Sequence, residues 1–539
     1  MEDFVVVGSG CTGAMAAATL IEGGGGARVL MLDAGERDDR YAGILPSGDF
    51  VSVRTTDREQ YRYFLGEDFE GVPWGKVGTG AQLTPPRRHL VRKVPELLPL
   101  ESDSFFPLES LAYGGLGAGW GLGCCAYSDA ELRAAGLPPE AMRAAYQWVA
   151  DRIGISGERD DAAQYTIAHL ERVLPPIEMD ANAAHLHASY LRRRRRVHAA
   201  GFRMGRTALA LLTRAVGERG AYAYRDMDFY DDRGQSAYRP WMTVDELRKR
   251  ENFLYRNNVL VTRFEEMPDA VRVHGIDTAA GEAVSHVCRR LVLAPGVLGS
   301  ARIVVRSFDR KPELPILCNP YCYLACIQPA LLGAPARGRR VGFSQLSLFH
   351  DPTGSNFDVA MASIYSYRSL MLFRIVREAP IALSDAYPIM RYLAPALTLV
   401  GIHHPDARGG RRSLRLEPCA ASPTADVLRA DFSLSEDAER KLRDRERRFT
   451  RVMRSLGAYR IRRVDPGHGS SIHYAGTLPF DSGDSGDKPF TLRPGGRLSG
   501  SARVYVADGS GFRYLPAKGV TLSLMANARL TALSALRDA

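Results

Sequence analysis

No apolar run in this 539-residue chain is long enough to cross a bilayer. Its most apolar later stretch, Ile389 to Ile402, covers about 14 residues and carries Arg391 and Pro395, where a span needs about 20 apolar residues. A transmembrane helix is excluded on that count, and contact with a membrane surface is the less favoured reading. A secretion leader is missing as well. The strand-like run Phe4 to Val7 begins three residues after Met1, which leaves no room for a charged region, an apolar region and a cleavage site. The expected location is cytoplasmic.

Cysteine is scarce, with 8 in the chain, and without a leader the thiols are expected to be reduced. Cys318, Cys322 and Cys326 recur every fourth residue, a spacing that could align thiols on a helix. No histidine or second cysteine pair stands nearby in the sequence, so the expectation is buried, inert thiols and no metal. Interleaved aromatics are absent from the basic clusters, which excludes nucleic acid as a partner. Lys plus Arg number 71 against 61 for Asp plus Glu, and Arg192 to Arg196 form an unbroken run. That run reads as a solvated helix face, while the basic surface could steer an anionic or carrier-bound substrate.

What is present begins with length and composition. A chain of 539 residues, 45% hydrophobic and 24% charged, is globular and too long for one ordinary core, so two interleaved domains are expected. Residues 4 to 35 read as an apolar strand, a glycine turn, an alanine-rich helix, a glycine stop and a second apolar strand, the order of a βαβ unit. Gly8, Gly10 and Gly13 fit GxGxxG, with Cys11 and Thr12 between the last two. The first glycine permits the tight turn, the second lets a pyrophosphate approach and the third lets helix pack on strand. Asp33 and Ala34 end the second strand, where an acid can bind ribose hydroxyls. A dinucleotide site follows, with FAD and NAD not yet distinguished.

Three later segments favour a flavin. Residues 108 to 132 hold a dense glycine loop, including Gly114, Gly115 and Gly119, with Trp120 beside it. Such a loop is costly in backbone entropy unless the chain must pass close to something. Residues 289 to 305 form a second strand-turn-helix unit through Ala294, Pro295 and Gly296. Residues 502 to 528 form a strand ending in Asp508 and Gly509, then a loop and a helix of small residues from about Thr521. A large flavin needs this return of the chain, because one dinucleotide fold covers only the AMP end.

In this order the blocks resemble the glucose-methanol-choline (GMC) oxidoreductases, over roughly half the chain. The resemblance rests on the amino-terminal fingerprint, the Gly-Gly loop with its Trp-Gly, the Leu-Ala-x-Gly turn, a His-x-x-Gly-Thr element and the closing Ala-Asp-Gly-Ser strand. It implies non-covalent FAD and oxidation of an alcohol such as a sugar, polyol or other hydroxylated metabolite. By it Gly8, Gly10 and Gly13 would hold the pyrophosphate, Asp33 the adenosine ribose, and Gly114 to Trp120 the flavin ring. Asp508 and Gly509 would meet the ribityl and pyrophosphate region, and Val261 would lie near the adenine. The implied fold is an α/β, Rossmann-like FAD domain (1–130, 196–306 and 458–539). An α+β substrate domain with an antiparallel sheet (131–195 and 307–457) would interleave with it.

Alcohol oxidation requires a base for the hydroxyl proton, and a neutral histidine with a pKa near 7 suits it. His473 opens the HxxGT element, where the family carries its base, behind a helix capped by Ser435 with Glu436 and Asp437 in its first turn. His468 is a second choice, equally readable as a loop histidine. At the family's second catalytic position the chain departs, reading Ala-Lys-Gly-Val-Thr, so that Gly519 stands at the site with Lys518 beside it and Thr521 retained. Lys518 is either a binder of alkoxide or acid or a surface lysine. Residues 369 to 404 read as a core helix pair, a lid or a membrane-facing surface, and Tyr365, Tyr367 and Phe373 are the substrate contacts suggested there. Two other functions compete: a flavin-binding protein with lost or altered catalysis, and a NAD-dependent dehydrogenase.

Overall fold

The computed structural model describes residues 1–71, 83–308, 310–335, 341–366, 382–406, 409–481 and 489–539. Tyr367 and Phe373 lie outside the described residues, as do residues 369–381.

The first strand β1 (Glu2–Val7), the helix α1 (Cys11–Gly23) and the strand β2 (Val29–Leu32) form the βαβ unit read from the sequence. β1 lies between β2 and Ala283–Leu293, parallel to both, and its Phe4 to Val7 are buried. Val504–Val506 adds in parallel beside Ala283–Leu293, which draws the carboxyl end into the same seven-stranded sheet. Phe253–Arg256 pairs in parallel with β2, and strands Val259–Glu266 and Val271–Asp277 complete the sheet as an antiparallel flap. α1 is alanine-rich and buried from Thr12 to Leu20, and its small side chains let Thr521–Arg537 pack closely against it.

A second, six-stranded sheet is wholly antiparallel. Its order is Tyr459–Val464, Tyr321–Ile327, Leu397–His403, Ala360–Tyr365, Leu346–His350 and Phe202–Arg206. Helix Glu436–Ser455 lies on it through Phe449, Val452 and Met453, which share a core with Phe202, Leu324 and Val400. Ser435 caps that helix, its hydroxyl accepting from the amide of Ala438 at 3.3 Å. The result is an α/β fold with a mixed, mainly parallel seven-stranded sheet and an interleaved antiparallel sheet.

Several expectations need correction. The cysteines at every fourth residue lie on strands and not on a helix: Cys318 on Leu317–Cys318 of a separate two-stranded ladder, and Cys322 and Cys326 on Tyr321–Ile327, where they share one core. Phe202–Arg206 and Tyr459–Val464 fall in segments expected in the FAD domain, yet they are the edge strands of the six-stranded antiparallel sheet. Of the stretch 369 to 404, Leu397–His403 is an inner strand of that sheet, and Leu383–Leu393 is a helix with Ile389 and Tyr392 exposed. Arg192 to Arg196 are exposed on helix Ala181–Ala199, as expected of a solvated face. Among the described residues no helix is long and apolar enough to cross a membrane.

Candidate active site

The glycine positions are set by close approach. A Cβ on Gly13 would fall 1.8 Å from the carbonyl oxygen of Gly8, and one on Gly8 would fall 2.7 Å from that of Ala294. Gly8 also has φ of +95°, a conformation that favours glycine. Gly115 comes close enough that its Cβ would meet the Gly10 Cα at 3.3 Å, so the glycine-rich loop crosses directly over the fingerprint turn. α1 begins there with no side-chain cap and no acidic residue in its first turn. Its N–H groups and dipole therefore suit a pyrophosphate. Thr12 donates to the Ala294 carbonyl at 3.5 Å and ties the second strand-turn-helix unit to the same place.

Asp33 is buried beside this turn, and burial pushes its carboxyl up to about 6. The hydroxyl and amide of Ser9 donate to it, and Tyr255 donates from 3.0 Å. The same Ser9 hydroxyl accepts from the amide of Gly114 at 2.8 Å, joining the fingerprint, the acid and the glycine loop. Ser9 and Tyr255 were not singled out from the sequence; Ser9 was legible only as the variable residue of GxG. The chain leaving Asp33 and Ala34 meets the strand of Val261, through amide bonds from Val259 to Asp33 and from Asn258 to Ala34. Trp120 donates its indole N–H to the carbonyl of Tyr238 at 2.9 Å.

The carboxyl-terminal turn is held from both sides. Asp508 is buried, accepting from Ser300 at 2.7 Å and from the amide and hydroxyl of Ser510. Its carboxylate therefore closes the turn. The backbone at Gly509 to Gly511 accepts from the amides of Gly476, Leu478 and Phe480 at 3.0, 2.9 and 2.8 Å. This ladder fixes the HxxGT element against the cofactor-side turn. Thr521 opens the final helix.

His473 stands at the head of that element. Its Nδ1 lies 3.2 Å from Oδ1 of Asn319, whose amide nitrogen donates to the carbonyls of His404, Leu515 and Pro516 at 2.9, 3.3 and 3.1 Å. Turning the amide over would set its oxygen against three carbonyls, so Oδ1 must be the atom facing the imidazole. Nδ1 then carries the hydrogen and Nε2 the lone pair. Burial lowers the imidazole to about 4, well under the value near 7 expected from the chemistry, so His473 is neutral at ordinary pH. Ile472 before it has φ of +60°, a strained conformation for a β-branched residue, and such strain clusters at functional sites.

His403, at the end of Leu397–His403, stacks on His473 with ring centres 4.8 Å apart and planes 22° apart. Burial and the neighbouring imidazole of His473 hold it well below the usual histidine range. Tyr321 stacks on its other side at 4.1 Å, and Tyr323 packs on Tyr321. Tyr365 lies two strands over on the same sheet. Asn319 and His403 were not read from the sequence, although the dipeptides Asn319-Pro320 and His403-His404 were visible signals.

Two further catalytic candidates offer no free side chain. Lys518 is fully buried, donating to Glu131 and to Asn356 at 2.6 Å each, so its ammonium is a structural partner and not a free substrate binder. Gly519 leaves no side chain at the second position. A Cβ there would fall 3.1 Å from the carbonyl oxygen of Gly123, tighter than ordinary contact. His468 packs its ring on Phe432, and its carbonyl accepts from Phe106 at 2.7 Å, which makes it a loop histidine.

No family model and no curated protein matches the chain. Among solved structures, the crystal structure of pyridoxine 4-oxidase from Mesorbium loti aligns with a TM-score of 0.58 at 14% identity, over 99% of each chain. The chain shares the fold of that oxidase. The alignment extends well beyond the roughly half of the chain that the sequence motifs reached. At that identity the likeness speaks for architecture alone.

Proposed function

We propose that the chain holds FAD non-covalently and oxidises an alcohol to a carbonyl, with His473 as the base. The observation that carries this reading is the Asn319 contact. It leaves Nε2 of a neutral, half-buried imidazole as the free acceptor, on an element laddered to the Asp508 turn.

Gly8, Gly10 and Gly13 with the start of α1 would hold the pyrophosphate, and Asp33 with Ser9 would border the ribose. Gly114 to Trp120 would border the flavin ring. FAD, when bound, supplies the hydride acceptor. The chain's own part is the proton: as the carbinol C–H leaves with its electron pair, Nε2 of His473 takes the hydroxyl proton and the C–O bond becomes C=O. Asn319 keeps the ring in the required tautomer. His403 supplies the second side chain that position 519 lacks, its stacked ring fixing the plane of His473.

Tyr321, Tyr323 and the two neutral histidines favour an uncharged alcohol. The arginines that suggested an anionic partner, Arg192 to Arg196, are on an exposed helix. The empty position 519 favours a second reading, a flavin protein with lost catalysis. Anaerobic mixing of the yellow protein with a panel of alcohols separates the two. Bleaching by any of them supports oxidation. A bound flavin that none of them bleaches overturns it, and a colourless protein that binds NAD overturns the cofactor reading.

A further inference from the structure

On the opposite side of the six-stranded sheet from the histidine pair, three ligand-type side chains converge in the core. Cys322 of Tyr321–Ile327, His404 just past Leu397–His403 and Glu446 of Glu436–Ser455 offer ligand atoms that all lie within 4.8 Å of one another. All three are buried, at 1%, 1% and 7% exposure. The geometry points to a zinc-type metal site with one thiolate, one imidazole and one carboxylate, clipping the helix to the sheet.

Two observations beyond the cluster support this. Both ring nitrogens of His404 are buried with no hydrogen-bond partner among the described residues, and its Nε2 already lies 3.9 Å from a Glu446 oxygen. An imidazole in a core without a partner is a poor choice unless something accepts its lone pair. The charges also close. Arg463 is shared between Glu446 at 2.6 Å and Asp465 at 3.1 Å, and Arg445 is paired with Asp358. Those five groups leave one net negative charge, and a divalent cation with an ionised Cys322 brings the set to neutrality.

Zinc bonds of about 2.0 to 2.3 Å put ligand atoms roughly 3.3 to 3.8 Å apart, so the set must close by about 1 Å, with a fourth position left for water. Binding exchanges the thiol proton for the metal: the S–H bond breaks, a sulfur–zinc bond forms and one proton is released. Arg463, bonded to both oxygens of Glu446, orients that carboxylate from behind. The cysteine spacing did not reveal the site because the histidine and the glutamate come from distant elements.

The full chain is incubated with one equivalent of Zn²⁺ and desalted, and its metal is measured. The expected result is about one zinc per chain in the wild type and roughly tenfold less in Cys322→Ser and in His404→Ala. Cobalt(II) loading should give intense tetrahedral ligand-field bands in the red, clear of any flavin absorption, which Cys322→Ser loses. If the variants fail to fold, the wild-type stoichiometry and cobalt spectrum decide alone. Zinc far below one per chain, a weak octahedral cobalt spectrum, or equal metal in wild type and variants overturns the assignment. None of these readouts needs flavin or substrate.

Discussion

Oδ1 of Asn319 sits 3.2 Å from Nδ1 of His473 and makes the imidazole a one-sided base. The amide cannot turn, because its nitrogen holds three backbone carbonyls. Asn319→Ala frees the tautomer. Substrate-driven flavin reduction should slow roughly 10-fold to 100-fold, less than on removing the base itself. Imidazole ¹⁵N shifts should report Nδ1–H in the wild type and a tautomer mixture in the variant. A slowed reaction with the tautomer unchanged would make Asn319 a packing residue only.

The half-buried His473 sets the pH profile. Its folded pKa is lowered to about 4 from an ordinary 6.5, so the neutral base persists down to about pH 4. The rate of flavin reduction should stay level from pH 8 to about 5 and not fall near 6.5 as a solvated histidine would require. His473→Gln should remain folded and yellow while reduction slows by roughly 10² to 10⁴. An acid limb centred near pH 6.5 in the wild type, absent in the variant, would place the ring in water and contradict the half-buried geometry.

Asp33 titrates in the opposite sense. Burial raises its folded pKa to about 6 from 3.8, so its charge is a cost above pH 6 that disappears as pH falls toward 4. Asp33→Asn removes that cost. In FAD-free protein the stability of the variant relative to wild type should rise between pH 4 and 6 and level off above. FAD affinity should fall with the lost acceptors by roughly 1 to 3 kcal/mol. Equal affinity would detach Asp33 from the ribose.

Gly519 cannot be repaired by restoring a side chain. The Cβ of Gly519→Asn would press on the Gly123 carbonyl at 3.1 Å, in a segment that also carries Cys125 against Met361. The variant should unfold at lower temperature and reduce its flavin no faster than wild type. A gain in rate would mean that His403 does not fill the second role.

The sequence made the nucleotide half legible because its constraints are local. Gly8, Gly13 and Asp33 lie within one βαβ unit, and the Ser435 cap announces its helix within a few residues. The active-site partners escaped for the converse reason. Asn319 reaches His473 through the two-stranded ladder of Leu317–Cys318 with Tyr474–Ala475, and His403 stands at the end of a strand of the six-stranded sheet; such pairing cannot be read from spacing along one strand. The edge strands Phe202–Arg206 and Tyr459–Val464 were misassigned for the same reason, since each pairs far from its sequence neighbours. Lys518 looked chemical because its fully buried partner, Glu131, lies in a distant helix turn.

That pair gives the last prediction. Lys518 and Glu131 are both fully enclosed, and the ammonium also donates to the Asn356 side-chain oxygen at 2.6 Å. Glu131 also closes the capping box of helix Asp129–Ala135 with Ser128. Lys518→Met strands a carboxylate in the core, and breaking a buried pair from one side costs about 3 to 5 kcal/mol. Burial already raises the Glu131 pKa, so the stranded group should take up a proton, and the loss should ease at low pH. Lys518→Met with Glu131→Gln removes both charges and should recover part of the stability in denaturant titrations. Flavin reduction per folded molecule should be unchanged in the double variant, because neither group reaches His473 through any described contact. A double variant that is stable and yellow yet inert toward an alcohol that bleaches the wild type would return Lys518 to the catalytic machinery.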